Sequence, residues 1–300
     1  MSPLLSAKQD VKKQVMSDLR EAYDGFLPKA WGMPKENKET GIVEQMSKEW
    51  RGRFGLIAAS THAINSAMIV AAQMGERYTR INYRTDPMKQ IMQALENQGH
   101  EEQMRCELKG YGQAFLDYYE EVVPRLGIAP LETAVAMKIT HLANAIAILR
   151  TPVSLDENTG DLATIPVSEV GARLGKQFLV LMRSSALLDE RVVLASKDID
   201  VTYRVAIDCV PEERTKVLIA LLHGNRTTTE VENFTRSYGR IPNKSAEREL
   251  YKLSHIGIIQ RVDKNWRIVS EWQERLEMTG LNKYLTELLP TLEEQHALSM

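Results

Sequence analysis

The chain has 300 residues, a net charge of −2, and 43% hydrophobic and 26% charged residues. These values are ordinary for a folded globular protein and exclude general disorder, and the charge gives no overall attraction to nucleic acid. We expect a cytoplasmic protein with no membrane association, because the N-terminus lacks a signal-peptide core and no apolar run reaches about 18 residues. Cys106 and Cys209 lie far apart, which predicts reduced thiols and no metal site.

The first part of the chain predicts a short α/β region. Its elements are, in order, a helix over 5–24, a loop over 27–52, a strand over 54–60, a helix over 62–74 and a strand over 78–83. The strand over 54–60 is apolar and ends at two hydroxyl residues, Ser60 and Thr61. We therefore expect a buried strand that delivers polar side chains at its tip.

From Asp86 to about residue 151 the apolar spacing is helical, with a break at Pro124–Pro130. A polar turn, Asp156–Asp161, separates this stretch from two further helices, expected over 167–188 and 197–209. Pro211 then interrupts the pattern and is expected to mark a domain boundary.

The next sixty residues predict three helices and a two-stranded hairpin. The helices are expected over 212–223, from a capping box at Thr227–Glu230 to Gly239, and from Pro242 to His255. The strands are expected over Ile258–Arg261 and Trp266–Val269. This order of elements is typical of a winged helix-turn-helix, and the last thirty residues return to amphipathic helix.

The predicted winged helix is locally basic. Eight basic and three acidic residues lie between Arg236 and Arg267, a local charge of +5. Helical spacing places Ala246, Leu250 and Leu253 on one face of the third helix and its cations on the other. The expected DNA-binding residues are Lys244, Ser245, Arg248, Lys252, His255, Lys264 and Arg267. A solvated surface helix or a protein-binding winged helix has the same pattern, and the sequence leaves these readings open.

No nucleotide-binding P-loop, GxxxxGK[ST], occurs in the sequence. The nearest run, residues 171–177, has only three residues between its glycines and ends in Gln177 where a magnesium-binding hydroxyl is required. It also lies inside a predicted helix instead of following a strand. The chain therefore has no predicted phosphate cradle of its own.

Several runs resemble an AAA+ ATPase of the kind carried by phages and mobile elements. Those similar to the back half of its core are residues 18–25, 50–61 and 75–78; those similar to its helical lid are residues 173–178, 198–201 and 204–211. A lid followed by a winged helix also resembles origin-recognition and helicase-loading ATPases. The resemblance covers about residues 8–270. It implies a mainly α fold: a partial AAA+ α/β core remnant, an all-α helical lid and a winged-helix domain.

The resemblance also implies three catalytic roles for four candidate residues. Ser60 or Thr61 corresponds to sensor 1, which orients the attacking water, and Arg77 corresponds to the arginine finger acting on a neighbouring subunit's nucleotide. Arg173 corresponds to sensor 2 on the lid. Simpler roles remain open: the hydroxyls could cap the next helix, Arg77 could pair with Glu76, and Arg173 could bridge helices.

Our leading hypothesis is the C-terminal portion of a DNA-associated AAA+ ATPase. The domains expected are a partial core over 1–84, a lid over 85–209, a winged helix over 210–270 and a final helix over 271–300. Because the P-loop and its magnesium-binding carboxylate are missing, we expect no ATPase activity from the chain alone. ATP and Mg²⁺ would bind only if shared with a P-loop-bearing partner. The expected partners are double-stranded DNA and a P-loop ATPase subunit or further copies of the chain in a homo-oligomer. The alternatives are a DNA-binding transcriptional regulator with a helical oligomerisation scaffold and an adaptor that binds protein only.

Overall fold

The computed structural model of the chain describes residues 9–30, 35–36, 43–44, 47–52, 79–82, 86–156 and 161–288. These belong to two compact units, residues 1–78 and residues 79–300. Helices dominate the second unit, whereas the described part of the first holds one helix and four strands, and within the described ranges every strand belongs to a two-stranded antiparallel pair. The predicted mainly α class is therefore confirmed, and no α/β core is present among the described residues. None of the helices described combines the length and apolar character that crossing a bilayer requires.

The first unit contains one helix and a nested hairpin. Its elements are α1 (Gln9–Tyr23), β1 (Phe26–Ala30), β2 (Lys35–Glu36), β3 (Val43–Glu44) and β4 (Ser47–Arg51). β1 pairs antiparallel with β4, and β2 with β3. The expectation of a loop over 27–52 was therefore wrong. Both strands of a two-stranded ribbon are edge strands, and an edge strand tolerates a proline such as Pro28. The pairing provides hydrogen-bond partners for the backbone N–H and C=O groups even in a segment rich in Gly and Pro.

Several predictions for this unit lie outside the described residues. These are the strand over 54–60, the helix over 62–74, and the positions of Ser60, Thr61 and Arg77.

The second unit begins with five helices. They are α2 (Pro87–Glu96), α3 (Glu101–Leu126), α4 (Thr133–Leu149), α5 (Ala172–Leu188) and α6 (Ser196–Asp208). Asp86 caps α2, because its carboxylate accepts hydrogen bonds from the amides of Met88 at 2.9 Å and Lys89 at 3.4 Å. Pro124 lies in the last turns of α3, which ends at Gly127 with a φ of 72°. The predicted break is thus confirmed.

Residues 79–82, at the start of the unit, have no strand structure. The Asn82 amide nitrogen instead donates to Asp208 Oδ2 at 2.9 Å, and Asn82 Nδ2 donates to Oδ1 at 3.2 Å. The predicted strand over 78–83 is therefore wrong for these residues. Their backbone is satisfied by a carboxylate at the end of α6 and not by a neighbouring strand.

The rest of the unit follows the predicted order closely. It consists of α7 (Glu212–Leu222), α8 (Thr228–Thr235), a 3₁₀ turn (Arg236–Tyr238), α9 (Asn243–His255), β5 (Ile259–Val262), β6 (Asn265–Ile268), α10 (Ser270–Thr279) and helical residues 281–288. The capping box is present: Thr227 Oγ1 accepts from the Glu230 amide, and the Glu230 carboxylate accepts from the Thr227 amide at 2.7 Å. We call residues 212–268 the helix–hairpin unit.

A single buried cluster runs through α4 to α10. α7 lies at its centre, since all residues from Val217 to Leu221 are buried. The apolar contacts therefore continue across Pro211, where the sequence predicted a boundary, and hold the helix–hairpin unit against α4 and α6.

Candidate nucleic-acid interface

The inner face of α9 anchors the helix. Ala246, Leu250 and Leu253 are all 0% exposed, and α9 packs against α7, α8 and β5. This confirms the inward face predicted from helical spacing. Burial of two leucine side chains contributes about 1.5–3 kcal/mol each, so the orientation of α9 is strongly determined.

The opposite face of α9 is polar and open to solvent. Lys244, Arg248 and His255 are exposed there, and Ser245 is half-buried beside them. Among the described residues, no acidic side chain pairs with Lys244 or Arg248. We call these four residues the outer face of α9.

Lys252 does not share this environment. It is half-buried, and its Nζ pairs with Glu249, whose side chain is 6% exposed. The cation is therefore compensated within the unit, and Lys252 is less available than the sequence predicted. Glu249 lies three residues before Lys252 on the same helix, but its burial on the inner face and its pairing with Arg214 depend on packing against α7.

Glu249 belongs to a buried ionic network beneath α9. Its Oε2 lies 3.3 Å from Nε of Arg214 on α7, whose side chain is 3% exposed. Arg214 Nη1 also donates to the carbonyl oxygens of Leu149 at 2.5 Å and Thr151 at 2.9 Å. Burial lowers the pKa of Arg214, and the charge of Glu249 opposes that shift. The network ties α9 to the C-terminal end of α4.

Two more cations of the basic segment are compensated by Glu232 on α8. Arg240 donates to Glu232 Oε1 from Nε at 3.0 Å and from Nη2 at 2.6 Å, and Arg236 Nη2 lies 4.0 Å away. The hydrogen bonds from Arg240 lower the pKa of Glu232. Five of the eight basic residues have no acidic partner among the described residues: Lys244, Arg248, Arg261, Lys264 and Arg267.

The hairpin of β5 and β6 is fixed to the helices by Trp266, which is 2% exposed. Its ring meets Tyr251 of α9 edge-on with centroids 5.4 Å apart, and its Nε1 donates to Thr228 Oγ1 at 3.3 Å. Its backbone pairs with Arg226, between α7 and α8, through bonds of 2.8 and 3.2 Å. Through Trp266 the hairpin is thus fixed to α9, to the start of α8 and to the segment between α7 and α8.

The outward side of the hairpin carries cations. The two strands turn at Asp263, whose φ of 55° is left-handed, and Lys264 follows it in the turn. Arg267 lies opposite Gln260, whose side-chain oxygen, when turned towards it, accepts from Nε and Nη2 at 3.0 Å. Arg261 lies over the Trp266 ring at 5.5 Å.

The predicted DNA-binding residues therefore all lie on one unit, and of the predicted ATPase residues only Arg173 lies among the described residues. Arg173 lies half-buried in the first turn of α5, outside the helix–hairpin unit. Ser60, Thr61 and Arg77 lie outside the described residues. Sequence reasoning missed Arg214 and Glu249. The available signal was Glu249 at an apolar-face position, three residues after Ala246 and four before Leu253.

Comparisons with protein-family models, with curated proteins and with solved structures find no match to this chain. In the part of the chain that the structure describes, no group of three or more His, Cys, Asp or Glu side chains is placed to hold a metal ion. The candidate interface is therefore characterised by its own geometry and charge.

Proposed function

We propose that the helix–hairpin unit is a winged helix that binds double-stranded DNA. The observation that carries the proposal is the charge separation across α9: its inner face is completely buried, and its outer face presents Lys244 and Arg248 without acidic partners among the described residues. Duplex DNA presents a dense row of phosphates that such cations neutralise with release of counterions.

In the proposed complex α9 lies in the major groove. Arg248 is central on the outer face, where a guanidinium can make two hydrogen bonds to the O6 and N7 of guanine. Lys244 and Ser245, at the N-terminal end of the helix, are placed to contact phosphates. Lys264 and Arg267 on the hairpin would contact the backbone beside the groove.

The internal ion pairs set the expected strength of the electrostatic contribution. Arg236 and Arg240 share the single carboxylate of Glu232, and Lys252 shares that of Glu249 with Arg214, so these ion pairs reduce the charge presented to DNA. Of the five cations without an acidic partner among the described residues, Arg261 lies over the Trp266 ring. With the other four as phosphate contacts, the logarithm of the binding constant should fall with the logarithm of salt concentration with a slope of about −4.

Fluorescence anisotropy with a labelled duplex of about 25 base pairs, longer than two helical turns, tests the proposal. We expect Lys244→Ala with Arg248→Ala to weaken binding at least ~10-fold, because two phosphate or base contacts are lost. The matched control is Lys109→Ala with Lys176→Ala, which removes the same charge from exposed positions on α3 and α5. Equal losses in both variants, or no salt-dependent binding, would contradict the proposal and favour a protein-binding adaptor.

We also propose that the chain works with a P-loop-bearing ATPase subunit, which rests on the family resemblance alone. The test is ATP hydrolysis by the full chain mixed with such a subunit. Stimulation of ATP hydrolysis that is lost in Arg77→Ala but retained in Glu76→Ala supports a role for Arg77 as an arginine finger. Turnover by the purified chain alone would contradict the expectation that the nucleotide is held elsewhere. DNA binding without any stimulation favours the stand-alone regulator.

A further inference from the structure

α3 is unusual because most of its length is open to solvent. Every residue from Glu101 to Tyr118 is exposed, over about five turns of helix. A helix with polar residues all round could exist in this state, but this one carries many large apolar side chains. α2 has a similar character, since Met88, Ile91, Met92 and Leu95 are all exposed.

The apolar residues of α3 form a stripe along one side. We define the α3 stripe as Met104, Leu108, Tyr111, Phe115 and Tyr118, which are between 43% and 75% exposed. Their separations are four, three, four and three residues. This alternation is the a and d spacing of a heptad repeat, which keeps apolar side chains facing a second helix along its length.

We propose that the α3 stripe pairs with the α3 stripe of a second copy of this chain, forming a parallel two-stranded coiled coil. The proposal does not depend on DNA binding by the helix–hairpin unit. The partner of the α3 stripe is a helix, because knobs-into-holes packing at this spacing requires another helix.

The exposed area is sufficient for a dimer. At the exposures given above, the five side chains leave on the order of 600 Å² open per chain, given 150–250 Å² for each aromatic residue. Pairing two copies would cover about 1,200 Å², the lower end of the range for stable specific interfaces. An exposed apolar patch of this size on a monomer is itself a sign of an interaction site.

The charges beside the α3 stripe favour the parallel arrangement. Glu107 flanks it on one side, and in a parallel coil its neighbour on the other copy is Gly112, five residues further on. The next flanking pair is Ala114 with Tyr119. In the antiparallel register that pairs Leu108 with Tyr118, Glu107 would instead face Glu121 of the other copy, and like charges there would oppose pairing. The antiparallel register that pairs Leu108 with Tyr111 avoids this contact but leaves Tyr118 without a partner in the stripe.

The base of α3 is held firmly, so the stripe projects in a defined direction. Val122 is 2% exposed, Tyr119 Oη donates to the carbonyl of Leu188 at 2.8 Å, and the Tyr118 hydroxyl bonds Glu190. The stripe is therefore presented by an anchored helix, which lowers the ordering cost of association.

Sedimentation velocity of the full chain at micromolar concentrations tests the proposal. We expect a concentration-dependent dimer, and at least a 100-fold weaker dimer for Leu108→Glu with Phe115→Glu. The matched control is Leu116→Glu, which is 62% exposed on the same helix but lies to the side of the stripe. A wild-type chain that stays monomeric, or a dimer that survives the double substitution, overturns the proposal.

Cross-linking provides a second measurement that does not rely on disrupting the helix. In a Cys106→Ser background, Tyr111→Cys should form a disulfide-linked dimer under mild oxidation, because position 111 faces its own counterpart in a parallel coil. Gln113→Cys, on the opposite side of α3, should not. Equal cross-linking at both positions indicates random collision and contradicts the pairing, and no cross-link at position 111 overturns the parallel arrangement.

Discussion

α3 and α9 are both amphipathic helices of the second unit, and they are disposed in opposite ways. α9 turns its apolar face into the core and its cations outward, whereas α3 turns its apolar stripe outward. The difference lies in what each helix meets within its own unit: α9 packs against α7, α8 and β5, and only the base of α3 is anchored. An apolar stripe therefore indicates that a helix has a partner, but the rest of the fold decides whether that partner is internal.

The largest expected effect comes from the ionic network beneath α9. Arg214→Met leaves the buried Glu249 with the half-buried Lys252 as its partner and removes the donor to the carbonyls of Leu149 and Thr151, so we expect the free energy of unfolding to fall by about 3–5 kcal/mol. Urea unfolding followed by circular dichroism measures this change. Lys283→Met breaks an exposed pair with Glu287 and should cost no more than about 0.5 kcal/mol. Comparable losses from the two substitutions would mean that the network does not anchor α9.

A matched pair of leucines tests the comparison directly. Leu250→Ala on the inner face of α9 should lower the free energy of unfolding by about 2–5 kcal/mol, because it leaves a cavity in the core. Leu108→Ala on α3 should change it by less than about 0.5 kcal/mol in dilute protein. A large loss for Leu108→Ala under those conditions would show that its side chain is covered within the same chain.

Salt concentration should affect DNA binding by the helix–hairpin unit much more than dimerisation through the α3 stripe. Raising sodium chloride from about 50 to 200 mM should weaken DNA binding by about 250-fold, because a slope of about −4 applies to a fourfold change in salt concentration. The same change should alter the dimer dissociation constant by less than about threefold, since the α3 stripe is apolar. Anisotropy and sedimentation over the same salt series make the comparison. A dimer that dissociates with salt would contradict apolar pairing of α3.

The smallest expected effect is at the cap of α8, which helps to support the hairpin. Thr227→Ala removes the side-chain acceptor for the Glu230 amide and should cost about 1 kcal/mol of unfolding free energy. Thr229→Ala, at an exposed position two residues later, serves as the control and should stay within about 0.5 kcal/mol. Thermal and urea unfolding of both variants provide the measurement.

The helix–hairpin unit was predictable because its signals are local. Gly239 has a φ of 106° and Gly257 a φ of 74°. Each glycine follows a helix, the 3₁₀ turn after α8 and α9 respectively, and glycine tolerates the left-handed backbone that ends a helix. The capping box at Thr227 and the spacing of Ala246, Leu250 and Leu253 are equally local. Each signal acts within about one or two helical turns, and the observed boundaries differ from the predicted ones by no more than three residues.

The missed features depend on distant residues. The pairing of β1 with β4 joins residues about twenty positions apart, and the bond between Asn82 and Asp208 spans 126 positions. Glu249, the partner of Lys252, is itself held beneath α9 by Arg214, which lies 35 positions earlier on another helix. No periodicity in the sequence contains these contacts, because they arise only when separate elements pack together.

By itself the sequence determined which segments become helices, where most of the helices in the second unit end, and which side of each helix is apolar. These properties follow from backbone preferences and side-chain spacing, which act between near neighbours. Only the tertiary structure decided which charges are compensated and which apolar faces are covered. The reason is that burial and ion pairing depend on what lies across the gap between elements, so α9 and α3 could not be distinguished before the fold was known.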